Sequence, residues 1–380
     1  MGEESSQEVK LYVRRYFILF IFACFALMNS FQWVQYSILA NIVEAYYGVG
    51  SVAVDWTSMI FLVSYIILII PAAHFLDKKG LRWTIVLGTL LNAAGACVKI
   101  ASVRQDLFWV TFIGQTLAAM ASVFMISIPP CLAAAWFGEN EVSTACSIGL
   151  FGNEMGIALG FYVPTLLVSN SEDIDAIGND LSTLFYISAG VSTSVFIIAL
   201  IFFQDKPPTP PSRQQAELVR ADDDSLLATL KRLLRNRNYV LLIIVYCFSQ
   251  AGGEKLAGEL GFIFVLSGMI GGVIFGIILD KTHKYNGFLG GYMPIAYDFG
   301  AELTYPEPDG MTSGILTLPT QIFGVAFTLA FGQMIAHVGT TWMNVTQTCS
   351  LLIGTLIHIL IKSDLRRKAM TIGRGDPSTS

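Results

Sequence analysis

Charge is scarce in this sequence. Asp, Glu, Lys and Arg make up 13% of its 380 residues, about half the share usual in a soluble domain. The four histidines (His74, His283, His337, His358) fall in loops or near the ends of apolar runs, none in the middle of one. The six cysteines (Cys24, Cys97, Cys131, Cys146, Cys247, Cys349) all lie in apolar segments. They follow neither a metal-ligand spacing nor a disulfide framework and read as small buried residues. A phosphate loop, HExxH, GxSxG and CxxC are missing as well. These absences point away from an enzyme, and no metal, cofactor or nucleic-acid partner is expected. Residues 1–10 are polar and acidic, and the apolar run that follows is too long and too polar for an h-region. Neither a cleavable signal peptide nor a mitochondrial presequence is expected there.

What the sequence has is hydrophobicity: 54% apolar residues and a mean hydropathy of +0.60. Apolar runs near the length needed to cross ~30 Å of hydrocarbon recur along it. The expected fold is an all-α polytopic membrane protein. In the first half the spans read as 16–43, 57–76, 84–101, 108–136, 145–168 and 184–203. Arg14-Arg15 and the turn Asp77-Lys78-Lys79-Gly80-Leu81-Arg82 are basic, whereas 170–180 holds four carboxylates and no Lys or Arg. The positive-inside rule then places the N-terminus in the cytosol and the acidic loop outside.

A proline-rich, then basic, stretch at 204–238 reads as a cytosolic linker between two bundles. Beyond it the pattern is irregular. Residues 239–251 form a short apolar run, 261–279 a good span, 287–300 a short glycine-rich segment, and 314–337 and 342–361 good spans again. Basic residues at 280–284 and 364–368 place both of those loops in the cytosol. The two final spans already account for one crossing out and one back, so 287–300 reads as a re-entrant or displaced half-helix. The expected organisation is a cytosolic tail at 1–15, a six-helix bundle at 16–203, the linker, a truncated second bundle at 239–362 and a cytosolic tail at 363–380.

Two short stretches repeat across the halves. Asp77 and Lys78 close the second span of the first half, with Gly80 and Arg82 just after; Gly276, Asp280 and Lys281 occupy matching places in the second half. Each copy has a small residue, neutral positions, then Asp and Lys at the cytosolic end of a span. The pair resembles the loop motif of the major facilitator superfamily and implies a transporter built from parallel repeats.

Three places carry polar chemistry inside the spans. On the first, Asn29, Gln32, Trp33 and Tyr36 form a stripe. It reads either as interhelical glue or as a seat for a small organic cation over an aromatic face. Glu154 lies near the centre of the fifth span, where a carboxylate faces a cavity, a cation or a hydrogen-bonding neighbour helix. Gln321, after Pro319, can face the same cavity; Gln333 lies further along that span. Gly156 and Gly160 form a small-xxx-small pair for helix packing.

Several ungapped stretches carry a more specific resemblance. They are Phe31-Gln32-Trp33-Val34-Gln35-Tyr36-Ser37, Trp136-Phe137-Gly138 with Glu141-Val142-Ser143-Thr144-Ala145, Gly291-Tyr292-Met293-Pro294, Glu302-Leu303-Thr304-Tyr305-Pro306-Glu307 and Lys362-Ser363-Asp364-Leu365-Arg366-Arg367. Together they resemble the feline leukaemia virus subgroup C receptor family, a branch of the major facilitator superfamily. The resemblance implies alternating-access transport of choline and ethanolamine, with haem transport also assigned to the family, and a multi-pass protein of the plasma membrane. It places a cation-cage tryptophan on Trp33, an eleventh-helix glutamine on Gln321 and a fifth-helix glutamine on Glu154, where this chain has a carboxylate. With Asn29, Gln32 and Tyr36 these are the expected substrate-binding residues. Measured against the family, the chain omits about one helix length after Ala251, including the cage tyrosine, and roughly two more after Tyr285. Non-transporting association with full-length relatives is the remaining alternative.

Overall fold

The computed structural model describes residues 11–138, 141–169, 171, 173–209, 211, 226–249, 293–305, 307 and 309–358. The described elements are all helical: α1 (Arg14–Val34), α2 (Ala40–Tyr47), α3 (Ser51–Ile100), α4 (Phe108–Trp136), α5 (Val142–Leu167), α6 (Ile174–Phe202), α7 (Leu226–Arg235), α8 (Arg237–Ser249), α9 (Met293–Thr304), α10 (Asp309–His337) and α11 (Thr340–His358). Five of them, α1 and α3 to α6, are long and apolar enough to cross a membrane. Large apolar side chains such as Phe20, Ile67, Trp109, Leu166 and Ile201 cover the outside of the bundle. Helices that satisfy their backbone internally and turn apolar side chains outward suit lipid as the surrounding solvent.

The 50 residues of α3 are two antiparallel arms. A straight helix would hold Ser58 and Lys99 ~60 Å apart. Instead Ser58 bonds Trp33 and Lys99 bonds Gln32, neighbours on α1. The reversal falls at Gly80, whose φ of +79° is left-handed. A Cβ there would also run into the Asp205 carboxylate, so glycine answers both a backbone and a space requirement. The α3 arms thus correspond to the expected spans 57–76 and 84–101.

The first apolar run differs from expectation. It is not one helix over 16–43: α1 stops at Val34, residues 35–39 form a turn, and α2 follows. Side-chain bonds to the last carbonyls of α1, described below, make that ending stable.

Close packing holds the first bundle together. Gly152 and Gly156 of α5 lie so near α1 that a Cβ on either would collide with the backbone at Ala23 or Leu27. Gly160 continues the stripe beside Val34 and Phe31. Gly95 of α3 and Gly114 of α4 face one another; a Cβ on either would come within 2.7 Å of the other's carbonyl oxygen.

The second half packs on the first through α10. Its Gly310 meets Leu76, Gly314 meets Ile69 and Gly324 meets Leu62, all on the first arm of α3. One apolar core runs through both halves, joining Phe22, Leu132 and Trp136 to Tyr239, Tyr297 and Leu316. The twelve described residues of α9 rise ~18 Å, and the first part of the segment expected at 287–300, residues 287–292, lies outside the described residues. The spans expected at 261–279, with Gly276, Asp280 and Lys281, lie outside the described residues. So do the places of the omitted helices.

Two ion pairs tie the helix ends. Arg15 grips Glu141 with Nη1–Oε2 and Nη2–Oε1 separations of 2.8 and 3.2 Å, and its guanidinium lies over the Tyr16 and Phe137 rings. Arg232 of α7 holds Glu307, in the turn before α10, with Nη2–Oε2 at 3.1 Å. Asn236 accepts from the backbone N–H groups of Asn238 and Tyr239, capping the start of α8.

Candidate functional site

The polar stripe of α1 divides between two environments. At 100° per residue the side chains come around the helix in the order Gln32, Asn29, Trp33, Ser30. Gln32 and Asn29 face the second arm of α3 and α4. Asn92 Oδ1 accepts from both, from Asn29 Nδ2 and Gln32 Nε2, each at 3.0 Å. Asn29 Nδ2 also donates to the Ala118 carbonyl at 2.9 Å. Lys99 Nζ donates to Gln32 Oε1 at 3.0 Å. These four side chains are at most 2% exposed. Asn29 and Gln32 are therefore spent on bonds within the bundle.

Replacing Asn92 with leucine strands one donor on each amide. An unmet buried donor costs about 1–3 kcal/mol, so Asn92→Leu is expected to lose about 2–6 kcal/mol in total, read as a clear drop in melting temperature of the detergent-purified protein. An unchanged melting temperature would show that the amides find other partners.

Trp33 points elsewhere. Its indole Nε1 donates to the Ser58 carbonyl at 3.3 Å and Ser58 Oγ donates back to the Trp33 carbonyl at 3.4 Å. The ring lies 6.3 Å from that of Phe61 at a 35° tilt, and the residue is only half-buried. On its other side Ser30 Oγ donates to Asn153 Oδ1 at 2.6 Å, and Asn153 Nδ2 donates to Glu154 Oε1 at 3.1 Å. Glu154 thus sits next to α1 in the sector beside Trp33, half-buried. Gln321 is half-buried on α10, one turn before the Gly324 that packs on Leu62, the neighbour of Phe61. The three residues come from three helices, and Glu154 lies between Gly152 and Gly156, which pack on Ala23 and Leu27, more than a turn before Trp33 along α1. Among the described residues no hydrogen bond joins them directly.

Tyr36 lies beyond the end of α1, in the turn, and so leaves the helical register of Asn29 and Trp33. It is 1% exposed, against Phe185 and beneath the Lys99 ammonium. Of the loop motif, Asp77 approaches the first turn of α10: a Cβ on Gly310 would lie 3.7 Å from its Oδ1. A carboxylate is favoured at a helix N-terminus. Lys78 is exposed. The Arg82 backbone N–H donates to Asp205 Oδ1 at 3.3 Å, and its guanidinium to the Leu200 carbonyl at 3.5 Å. The described cysteines are all free. Gln333 is on α10.

Sequence reasoning missed Lys99, Gln115 and the Ser30–Asn153 link. Lys99 sits near the end of an apolar run, where a lysine usually snorkels. The signal was in the small residues: a Cβ on Gly114 would press on the Lys99 side chain at 2.8 Å.

Long apolar helices in two packed halves define a helical membrane protein. Comparison places it more closely. A family model described as Major Facilitator Superfamily matches residues 18–371. The chain is 40% identical over 421 aligned residues to the zebrafish choline/ethanolamine transporter flvcr2b, covering 96% of this chain and 87% of that one. It is 38% identical over 424 residues to the human choline/ethanolamine transporter FLVCR2, covering 97% and 81%. Both alignments are longer than the 380 residues of this chain, so the relatives carry segments that it lacks. The E. coli fucose:proton symporter FucP, solved in the outward conformation, shares the fold at a TM-score of 0.69 and 14% identity over 92% of this chain and 98% of that one. The chain belongs to the major facilitator superfamily and, within it, to the feline leukaemia virus subgroup C receptor family.

Proposed function

We propose that this integral membrane protein carries choline and ethanolamine across the plasma membrane by facilitated alternating access. The observation that supports this best is the division of the α1 stripe. Asn29 and Gln32 are tied into the bundle, and Trp33 alone keeps a partly open π face. A desolvated quaternary ammonium is attracted to such a face by about 0.5–2 kcal/mol. In this reading Trp33 takes the ammonium group, Glu154 supplies a negative charge on the fifth-helix side, and Gln321 contacts the hydroxyl end. Asn29, Gln32 and Tyr36 act from behind by fixing the end of α1. Asp77 serves the contact between bundles, while Gly80 and Arg82 hold the turn against the end of α6 and Lys78 faces outward.

The test is uptake of radiolabelled choline by proteoliposomes containing the purified chain, run beside haem titration. The expected result is saturable choline uptake inhibited by ethanolamine, with no Soret shift. A Soret shift without choline uptake would transfer the site to haem. Neither signal, together with co-purification of a full-length relative, would favour a non-transporting partner.

A further inference from the structure

The helix that leads into the second half presents positive charge that the described residues do not answer. On α7, Lys231, Leu234 and Arg235 stand at i, i+3 and i+4 and so share one face. All three are exposed, Leu234 at 53%. Arg237, the first residue of α8, is exposed two residues further on. Among the described residues no acidic side chain pairs with Lys231, Arg235 or Arg237, whereas Arg232 is already held by Glu307. The other side of α7 belongs to the fold: Thr229 and Leu233 are buried, and Leu230 packs against the core.

The position of α7 selects the kind of anion that fits. Arg232 and Asn236 fasten it to Glu307 and to the Leu303 carbonyl, at 3.1 and 2.8 Å. Glu307 just precedes α10, whose Gly310 meets Leu76 beside the turn 77–82. Helix α7 therefore lies at the same end of the bundle as that basic turn, the end that the charge bias assigns to the cytosol. Arg237 also opens the apolar stretch Arg237–Cys247, so the cations stand where polar chain gives way to sequence suited to hydrocarbon. An anionic lipid surface meets all of these features. Its headgroups answer the Lys and Arg charges, and its acyl boundary takes the leucine beside them. A soluble phosphate would neutralise the charge but leave Leu234 in water, and a cationic substrate would be repelled.

We infer that Lys231, Arg235 and Arg237, with Leu234 as their apolar contact, form a binding surface for anionic phospholipid of the cytosolic leaflet. Bound lipid seats α7 and, through Arg232 and Asn236, steadies the joint between α9 and α10. This surface does not depend on what Trp33 binds.

The experiment is a thermal melt of the purified full chain in neutral detergent micelles doped with increasing phosphatidylserine. Phosphatidylcholine and inorganic phosphate are separate additions. Wild type is expected to melt higher with phosphatidylserine and to respond little to the other two. Most of that response should vanish in about 1 M sodium chloride, where screening reaches ~3 Å. A Lys or Arg at an anionic surface gives roughly fivefold in affinity. The triple variant Lys231→Gln/Arg235→Gln/Arg237→Gln is thus expected to need at least ~10-fold more phosphatidylserine for its half-maximal shift. Leu234→Ser is expected to need roughly fivefold more. The charge-preserving variant Lys231→Arg/Arg235→Lys/Arg237→Lys should stay near wild type. Lys78→Gln/Lys79→Gln should lose less than the triple variant, because the Asp77 and Asp205 carboxylates flank that turn. A wild-type response to the triple variant's lipid titration would overturn the lipid surface, as would equal shifts with phosphatidylcholine. Phosphate reproducing the full shift would reduce the surface to a free-anion site and also overturn it. So would a Lys78→Gln/Lys79→Gln loss as large as that of the triple variant, since charge anywhere at this end would then suffice. Should the triple variant fail to fold, Leu234→Ser and the wild-type comparison of the two lipids decide.

Discussion

Replacing Gly156 with valine is expected to prevent the first bundle from closing. The space a Cβ would need is filled by the backbone at Leu27. A flexible side chain can swing aside, but a helix backbone cannot move without separating α1 from α5 along their length. The same holds at Gly152 against Ala23. The cost should reach or exceed the ~3 kcal/mol upper end of ordinary overpacking, enough to remove most of the folded protein from a detergent extract. Gly190→Ala is the matched control, because a Cβ there meets nothing within 4 Å. Alanine is the better helix former by roughly 0.5–1 kcal/mol, so its yield and melting temperature should hold or rise. Monodisperse Gly156→Val protein with a wild-type melting temperature would mean that the two helices do not need this approach.

These glycines show what a linear reading can and cannot reach. The spacing of Gly156 and Gly160 marked α5 as a packing helix because a small-xxx-small stripe has one common use. The spans were legible for the same kind of reason: hydrocarbon sets one length for every crossing, and 108–136 coincides with α4. The turn at 35–39 was not legible. It interrupts an apolar run without a proline or glycine, and the groups that satisfy the end of α1, Ser58 and Gln115, come from other helices. The stripe itself was ambiguous for a geometric reason. Asn29 and Trp33 lie only 40° apart on the helix, so periodicity puts them on one face. Whether that face meets a partner or a cavity depends on where Asn92 and Ser58 stand. Lys99 was hidden by position, since a lysine near a span end ordinarily reaches water and here Gly95 and Gly114 draw the helices over it.

Trp33→Ala is expected to raise the KM for choline by roughly 10- to 30-fold. That range follows from ~1.4–2 kcal/mol, the upper part of what a desolvated cation gains over an indole face. Trp33→Phe should recover part of the loss, because a benzene ring keeps a weaker π face and the contact with Phe61. It cannot replace the indole donor to Ser58, so some misplacement remains. The order Trp, Phe, Ala separates recognition of the cation from packing: a ring needed only for volume would leave phenylalanine near wild type. Ethanolamine adds a second axis. Its primary ammonium can donate hydrogen bonds, which a quaternary ammonium cannot, so in the proposed site it would bond Glu154 where choline relies on the ring. Trp33→Ala should therefore harm choline more than ethanolamine, and Glu154→Gln the reverse. Initial rates of both labelled substrates, measured in proteoliposomes of matched protein content, give the comparison directly. Equal losses for the two substrates in both variants would break the division of labour between Trp33 and Glu154, and uptake by Trp33→Ala at the wild-type KM would remove the indole from the site.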